Sequence, residues 1–238
     1  MRRNLIAGVA TGVGVIALLG AGAYIYFFSG LRTSPSGLAL SATPPATSSP
    51  PSTSTGLAGA WKVTTGSLAG YRVQELFAGE TSKHAAVART SSVSGGLTVT
   101  GDSAGYQVSA ITLNADISSL HSVDQVVGRN VTQRDGIVSR QLNVQQYPNA
   151  TFTAAAASIT GPIGTSPVDV TVAGKLTIHG VTRDASPTAK AQLVGDRIEI
   201  AGSVTINMTD YGVTPPQVPF TAVDSTVTIE FDIFLTKS

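Results

Sequence analysis

The chain has 238 residues, of which only 12% are charged, with a net charge of +1 and no cysteine. Its basic residues are scattered, which excludes a nucleic-acid-binding face built on clustered Lys and Arg. The missing cysteine excludes disulfides, thiolate metal sites, cysteine nucleophiles and a cysteine-linked lipid anchor.

Residues 5–28, LIAGVATGVGVIALLGAGAYIYFF, carry no charge. At about 1.5 Å rise per residue, this length of helix spans roughly 30 Å of hydrocarbon. Arg2 and Arg3 precede the stretch, and Tyr24 and Tyr26 lie near its far end. Residues 1–28 therefore read as a short cytoplasmic stub and one transmembrane helix in the cell membrane, with everything after it extracytoplasmic. Ala21-Gly22-Ala23 has the form of a signal-peptidase site, but the apolar YIYFF that follows it favours an uncleaved anchor.

Residues 29–60 are almost all Ser, Thr, Pro, Ala, Gly and Leu, with no acidic residue. Such a composition buries too little apolar surface to offset the entropy of ordering. It reads as a disordered linker that spans on the order of 30 Å as a coil and about 100 Å in polyproline form.

Residues 61–238 alternate apolar and polar side chains. Val168, Val170, Val172, Leu176 and Ile178 share one parity; so do Ile198, Ile200, Val204, Ile206 and Met208, and again Val227, Ile229, Phe231, Ile233 and Leu235. Period two means half-buried strands with one apolar face. Shorter strands are predicted over 71–77, 86–93, 97–100, 106–117 and 151–159. Gly174 and Gly202 fall inside the long strands, where they mark bends or close backbone approach. About eight mostly antiparallel strands make this an all-β domain, a barrel or a sandwich. Only residues 122–143 break the pattern. Val123, Val126, Val127 and Val131 recur at helical spacing behind a capping Ser122, which predicts one or two short helices lying across one barrel end.

Several motifs resemble sites. Gly101-Asp102-Ser103-Ala104-Gly105 matches G-x-S-x-G, but strand-like sequence on both sides makes it a hairpin loop rather than a nucleophile elbow. His84, His121 and His179 are far apart, and none has a metal-ligand partner at characteristic spacing. His179-Gly180 lies between two strands and fits a tight turn, where histidine tolerates positive φ better than most residues. No catalytic or metal-binding residue is expected, and the protein reads as a non-enzyme.

An ordered series of short motifs in residues 61–238 resembles the YceI-like, lipocalin-like family of bacterial polyisoprenoid-binding proteins. The series is Trp61-Lys62-Val63, Gly70-Tyr71-Arg72-Val73, Arg134-Asp135, Tyr147-Pro148-Asn149-Ala150-Thr151-Phe152, Gly174 to Thr182 (GKLTIHGVT), Ile206-Asn207 and Asp210-Tyr211-Gly212-Val213. Two positions depart from the family pattern. Arg140 is the only charge between the Arg-Asp and Tyr-Pro elements, and Met208 stands where the family has an arginine. The resemblance implies an eight-stranded antiparallel lipocalin-like barrel with an apolar interior that holds an isoprenoid lipid. The residues expected to line that interior are Leu113, Phe152, Val170, Val172, Leu176, Ile178, Ile200, Val204, Ile206, Val227, Ile229, Phe231 and Ile233. No cofactor is expected beyond a bound isoprenoid lipid. The expected partners are that lipid and the membrane; no protein partner is indicated. The competing expectation is a barrel filled by side chains that serves as an envelope interaction or stress-response module.

Overall fold

A computed structural model of the chain describes residues 17–22, 32–42, 56–102, 105–159 and 163–238. Strands dominate it: β1 (Arg32–Thr33), β2 (Gly59–Val63), β3 (Leu68–Phe77), β4 (His84–Thr90), β5 (Val93–Asp102), β6 (Gly105–Asp116), β7 (His121–Ser122), β8 (Gln125–Val126), β9 (Asn149–Ile159), β10 (Val168–Val172), β11 (Gly174–Ile178), β12 (Val181–Ala185), β13 (Thr188–Val194), β14 (Arg197–Asn207), β15 (Gln217–Val218) and β16 (Thr221–Lys237). One α-helix, α1 (Gln133–Gln141), interrupts them.

Eight strands close a ring in the order β16-β14-β13-β10-β9-β6-β5-β2, with the last pairing back to β16. Every neighbour pair in the ring is antiparallel. The family resemblance implied this barrel; the alternation alone left a sandwich open. Closure depends on the 17 residues of β16. One edge of this strand pairs with β14 from Thr226 to Leu235. The other edge changes partner, meeting β2 at Leu235–Lys237 and β3 between Thr221 and Asp232. At the β2 end the ring is shut. At the β3 end the sheet splays outward through β3, β4 and β7 and leaves an opening.

The shut end is lined by buried apolar side chains. Trp61, Leu97, Val99, Val108, Ile111, Ile198, Ile233 and Leu235 form one buried cluster. The Trp61 indole N–H donates to the Leu57 carbonyl oxygen at 2.8 Å, so the ring is buried with its polar atom satisfied.

The turn at His179-Gly180 is a two-residue hairpin with positive φ at both positions, 52° and 75°. Positive φ at both central residues gives the turn the twist of its flanking strands. The imidazole also holds two motifs together. It packs edge-on against Tyr147 at 5.2 Å between centroids, and its Nδ1 lies 3.2 Å from the Tyr211 carbonyl oxygen. At Gly174 a β-carbon would sit 2.6 Å from the Phe152 ring, so the glycine makes room for that ring against the strand.

The region 122–143 differs from the expectation. Only Gln133–Gln141 is helical. Ser122 belongs to β7 and Val126 to β8, where they pair with β4 and β1. Ser122 does not cap a helix start; its N–H and hydroxyl both donate to Asp135 Oδ1, at 3.0 and 2.6 Å. Of the valines at helical spacing, Val126 pairs with Arg32 in β1 and the Val123 N–H donates to the Val87 carbonyl oxygen at 2.9 Å, while Val127 is exposed beyond β8.

The expected disordered linker also needs correction. Its described part, residues 32–42, is a strap laid along the outside of the barrel. β1 pairs with β8. Arg72 then donates to the Pro35 carbonyl at 2.6 Å and Arg89 to the Ser36 carbonyl at 2.5 Å. Further along, the Ser41 N–H and hydroxyl both donate to Glu199 Oε1, at 2.7 and 2.8 Å, and Gln192 donates to the Ser41 carbonyl at 3.0 Å. The entropic argument for disorder holds for a chain that must bury its own surface. Here the partner is a preformed barrel wall whose outward polar side chains satisfy the strap backbone. β2 takes in Gly59 and Ala60, so strand structure begins two residues before Trp61.

The transmembrane expectation falls on residues 1–28, most of which lie outside the described residues. Residues 17–22 are helical, with Leu18 and Leu19 exposed. Among the described residues no helix is long and apolar enough to cross a membrane.

Beneath the strap, Asp232 and Glu199 form a carboxyl pair. Burial, the charge of Glu199 and a hydrogen bond to it push the Asp232 carboxyl up to about 7. Between its ordinary value and about 7, the folded chain therefore holds a proton that the unfolded chain has released. The stability this proton contributes is present at low pH and lost as pH rises towards 7. Asp232→Asn is expected to raise the urea midpoint at about pH 8 more than at about pH 5, flattening the pH profile over that window. Urea unfolding of both proteins across the window checks this.

Candidate functional site: an apolar tube with a buried ionic lip

Behind the opening at the splayed end lies a cavity of about 500 Å³. Its walls are the inward faces of β3 (Ala69, Tyr71, Val73, Glu75, Phe77) and β16 (Val223, Val227, Ile229), with Ile178, Ile206, Met208 and Tyr211. Helix α1 covers it with Arg134, Ile137, Val138 and Gln141, and the segment 213–220 adds Val213, Pro216, Val218 and Phe220. A second cavity of about 150 Å³ lies deeper, inside the closed ring, with almost wholly apolar walls. Ala69, Ala115, Ala150, Leu176 and Ile229 line both, so the two chambers meet at a waist. Ala115 and Ala150 are direct cross-strand partners there. Alanine at these positions keeps the waist open; a larger side chain would close it. The tube runs from an open mouth to a blind end at the Trp61 cluster.

All thirteen residues that the sequence placed in the interior line one chamber or the other. Leu113, Phe152, Val170, Val172, Ile200, Val204, Phe231 and Ile233 surround the deep chamber. Ile178, Ile206 and Val227 line the outer one, and Leu176 and Ile229 face both. Sequence reasoning expected a short helix across one barrel end, as α1 is, but did not name its lining residues, the inward face of β3 or the segment 213–220. The β3 residues were legible, since Tyr71, Val73, Glu75 and Phe77 keep one parity. Met208, where the family has an arginine, makes the outer wall apolar, whereas Arg140 is exposed on α1.

An ionic network lies along the outer chamber. Arg134 Nη2 donates to Glu75 Oε1 at 2.5 Å, and Nη1 donates to Asp124 Oδ1 at 2.7 Å and to Ser122 Oγ at 3.2 Å. Asp124 also accepts from the Val87 N–H at 3.0 Å, and its Oδ2 lies 2.7 Å from His84 Nε2. Glu75, His84 and Asp124 are all buried. Burial pushes the Asp124 carboxyl up, but hydrogen bonds from His84, Arg134 and the Val87 N–H outweigh it and hold the group well below the usual carboxylate range. For Glu75 burial wins over the attraction of Arg134, and its carboxyl is raised. Burial likewise raises the Tyr71 phenol beyond its ordinary value. His84 thus has close partners that sequence spacing did not reveal. Ligand atoms of Glu75, His84 and Asp124 lie within 4.8 Å of one another, a grouping that could hold a metal ion. The Arg134 guanidinium already bridges the two carboxylates, however, so positive charge stands where a cation would bind.

In the G-x-S-x-G stretch, Asp102 at the end of β5 pairs antiparallel with Gly105 at the start of β6. Ser103 lies outside the described residues.

The YceI-like domain family matches residues 63–235. The chain belongs to this family. Among its curated relatives are two UPF0312 proteins of Pseudomonas putida, from strains W619 and GB-1. Each is 30% identical over 139 residues, which is 55% of this chain. The chain spans 66% of the length of each, just under two thirds. A solved structure with the same fold is a polyisoprenoid-binding domain from Saccharophagus degradans, implicated in plant cell wall breakdown. It is 18% identical, with a TM-score of 0.50 over 76% of this chain and 99% of that one. The YceI-like motifs cluster spatially: Arg134 forms the ionic lip, and Tyr147, His179 and Tyr211 form one contact group.

Arg134→Met removes the cation from two buried carboxylates. Breaking a buried pair from one side costs about 3–5 kcal/mol, because the remaining charge stays uncompensated. Urea unfolding is expected to show a loss near the lower figure, since the Arg134 side chain retains 13% exposure.

Proposed function

We propose that the protein is a membrane-anchored, extracytoplasmic, non-enzymatic binder of an isoprenoid lipid. The observation that carries this reading is the pair of adjoining apolar chambers, a wide one behind the mouth and a smaller one inside the ring, which share the wall residues Ala69, Ala115, Ala150, Leu176 and Ile229. A side-chain-filled barrel would lack them, so they argue against the filled interaction module. The summed size falls in the range of about 300–1,000 Å³ usual for small-molecule sites. Burying an alkyl chain contributes about 25 cal/mol per Å² before ordering costs. The polyisoprenoid-binding domain of S. degradans, which shares the fold, supports the same ligand class. The uncharged residues 5–28 support the anchor, and the charge distribution around them supports the extracytoplasmic placement.

The polar lip indicates the kind of head group. Both arginines of the outer chamber are committed: Arg134 to Glu75 and Asp124, and Arg129 to Glu80 and the face of Phe77. Neither is left to clamp a phosphate. A neutral head group, such as a quinone or an alcohol, fits the outer chamber, with its tail passing the alanine waist.

The test uses native mass spectrometry and fluorescence titration of the detergent-solubilised full chain. Uptake of isoprenoid quinones or polyprenols is expected, with weaker uptake of polyprenyl phosphates. Ala115→Leu, at the waist, is expected to weaken binding of a long-tailed isoprenoid about tenfold, equivalent to about 1.4 kcal/mol, while sparing a short-tailed one. A folded wild-type chain that takes up no isoprenoid would overturn the reading.

A further inference from the structure

We infer that the strap sets the barrel on the bilayer with the cavity mouth facing the lipid, so that the mouth is a membrane-docking surface. This rests on the anchoring reading above. The strap has a fixed direction. Its first residues lie at the mouth, where β1 pairs with β8, and Ser41 lies against Gln192 and Glu199 towards the shut end. A chain of contacts joins its start to the rim. Arg32 pairs with Glu80, Glu80 accepts from Arg129, and the Arg129 guanidinium sits 4.0 Å from the centre of the Phe77 ring. The next residue, Ala78, donates its N–H to the Phe220 carbonyl oxygen at 3.0 Å.

The rim carries the two large exposed apolar side chains of the barrel domain. Val127 is 65% exposed and follows β8 directly; Phe220 is 55% exposed and lines the cavity. Phe220 lines the cavity itself, and Val127 immediately precedes the lining residues Gly128 and Arg129, so both stand beside the open end where a bilayer surface would cover them. The sequence identifies the occupant. The uncharged stretch 5–28 ends at Phe28, four residues before Arg32. At no more than about 3.6 Å per residue, Arg32 lies within about 14 Å of the end of that stretch. Each polar layer of a bilayer is about 5–7 Å thick. The tether therefore holds the rim within roughly 14 Å of the acyl boundary, close enough for Val127 and Phe220 to meet the headgroup layer when the mouth turns towards the bilayer. The 30–100 Å of free reach expected of a disordered linker does not apply, because the strap is docked from its first described residue. A lipid tail can then pass from the bilayer into the tube without crossing water.

The absence of cysteine allows unique labelling. Phe220→Cys, Val127→Cys and Asp196→Cys, the last in the turn between β13 and β14 at the shut end, each place one fluorophore on the full chain. The chain is reconstituted into phosphatidylcholine–phosphatidylglycerol vesicles containing nitroxide-labelled lipid. Co-flotation of the chain with vesicles is expected. So is several-fold stronger quenching at Phe220→Cys and Val127→Cys than at Asp196→Cys. Co-flotation with equal or reversed quenching overturns the docking orientation and leaves the anchor standing. Failure to co-float overturns both. Isoprenoid uptake by the solubilised chain is independent of either result.

Discussion

The architecture depends on one change of partner along one edge of β16. At Leu235–Lys237 that edge pairs with β2, and from Asp232 back to Thr221 it pairs with β3. A strand with a single partner along its whole edge would close a uniform barrel, which eight strands fill with side chains or leave just wide enough for one ligand. Dividing the edge gives two regimes in one sheet. The β2 end is shut and packed around Trp61, while the β3 end flares and needs a lid. Helix α1 and the segments around Val131 and Val218 supply it. Of these only Gln217–Val218 joins the sheet, as the short strand β15 paired to β16, so the lid covers the opening without extending the barrel wall around it.

Flaring has a polar consequence. The lid brings Asp124 and Arg134 over β3 and β4, whose inward faces carry Glu75 and His84. Charges removed from water need partners with good geometry. The guanidinium meets this need by bridging two carboxylates while Asp124 also accepts a backbone N–H. The network therefore fixes the lid to the barrel and leaves the cavity behind it apolar. On the outer face the same problem is met differently. Glu199 and Glu230 point away from the cavity yet are buried, because the strap covers them and offers Ser41 and the Leu38 N–H.

Much of the barrel was legible in the sequence because alternation reports directly on a two-faced sheet. β10–β11 and β14 fell within a residue or two of their predicted parity runs, while β16 begins six residues before its run; the interior residues taken from those runs all face a chamber. The short helix expected within residues 122–143 is present at Gln133–Gln141, but its start was misplaced, because the spacing of Val123, Val126 and Val127 does not report that Ser122 and Val126 pair with strands. The ionic lip was half visible. Glu75 occupies an inward parity position, and Arg134 belongs to a motif, but Asp124 and His84 meet them only through the fold. The strap was invisible because composition measures what a segment can bury by itself.

The central claim is that the tube holds an isoprenoid lipid. The most direct measurement is native mass spectrometry of the full chain purified from its native host without added lipid, followed by organic extraction and identification of what it carried. The account predicts an added mass of one lipid per chain, removed by extraction and matching an isoprenoid with a neutral head group. A folded chain at its bare mass, which also gains none when offered quinones and polyprenols, would contradict it.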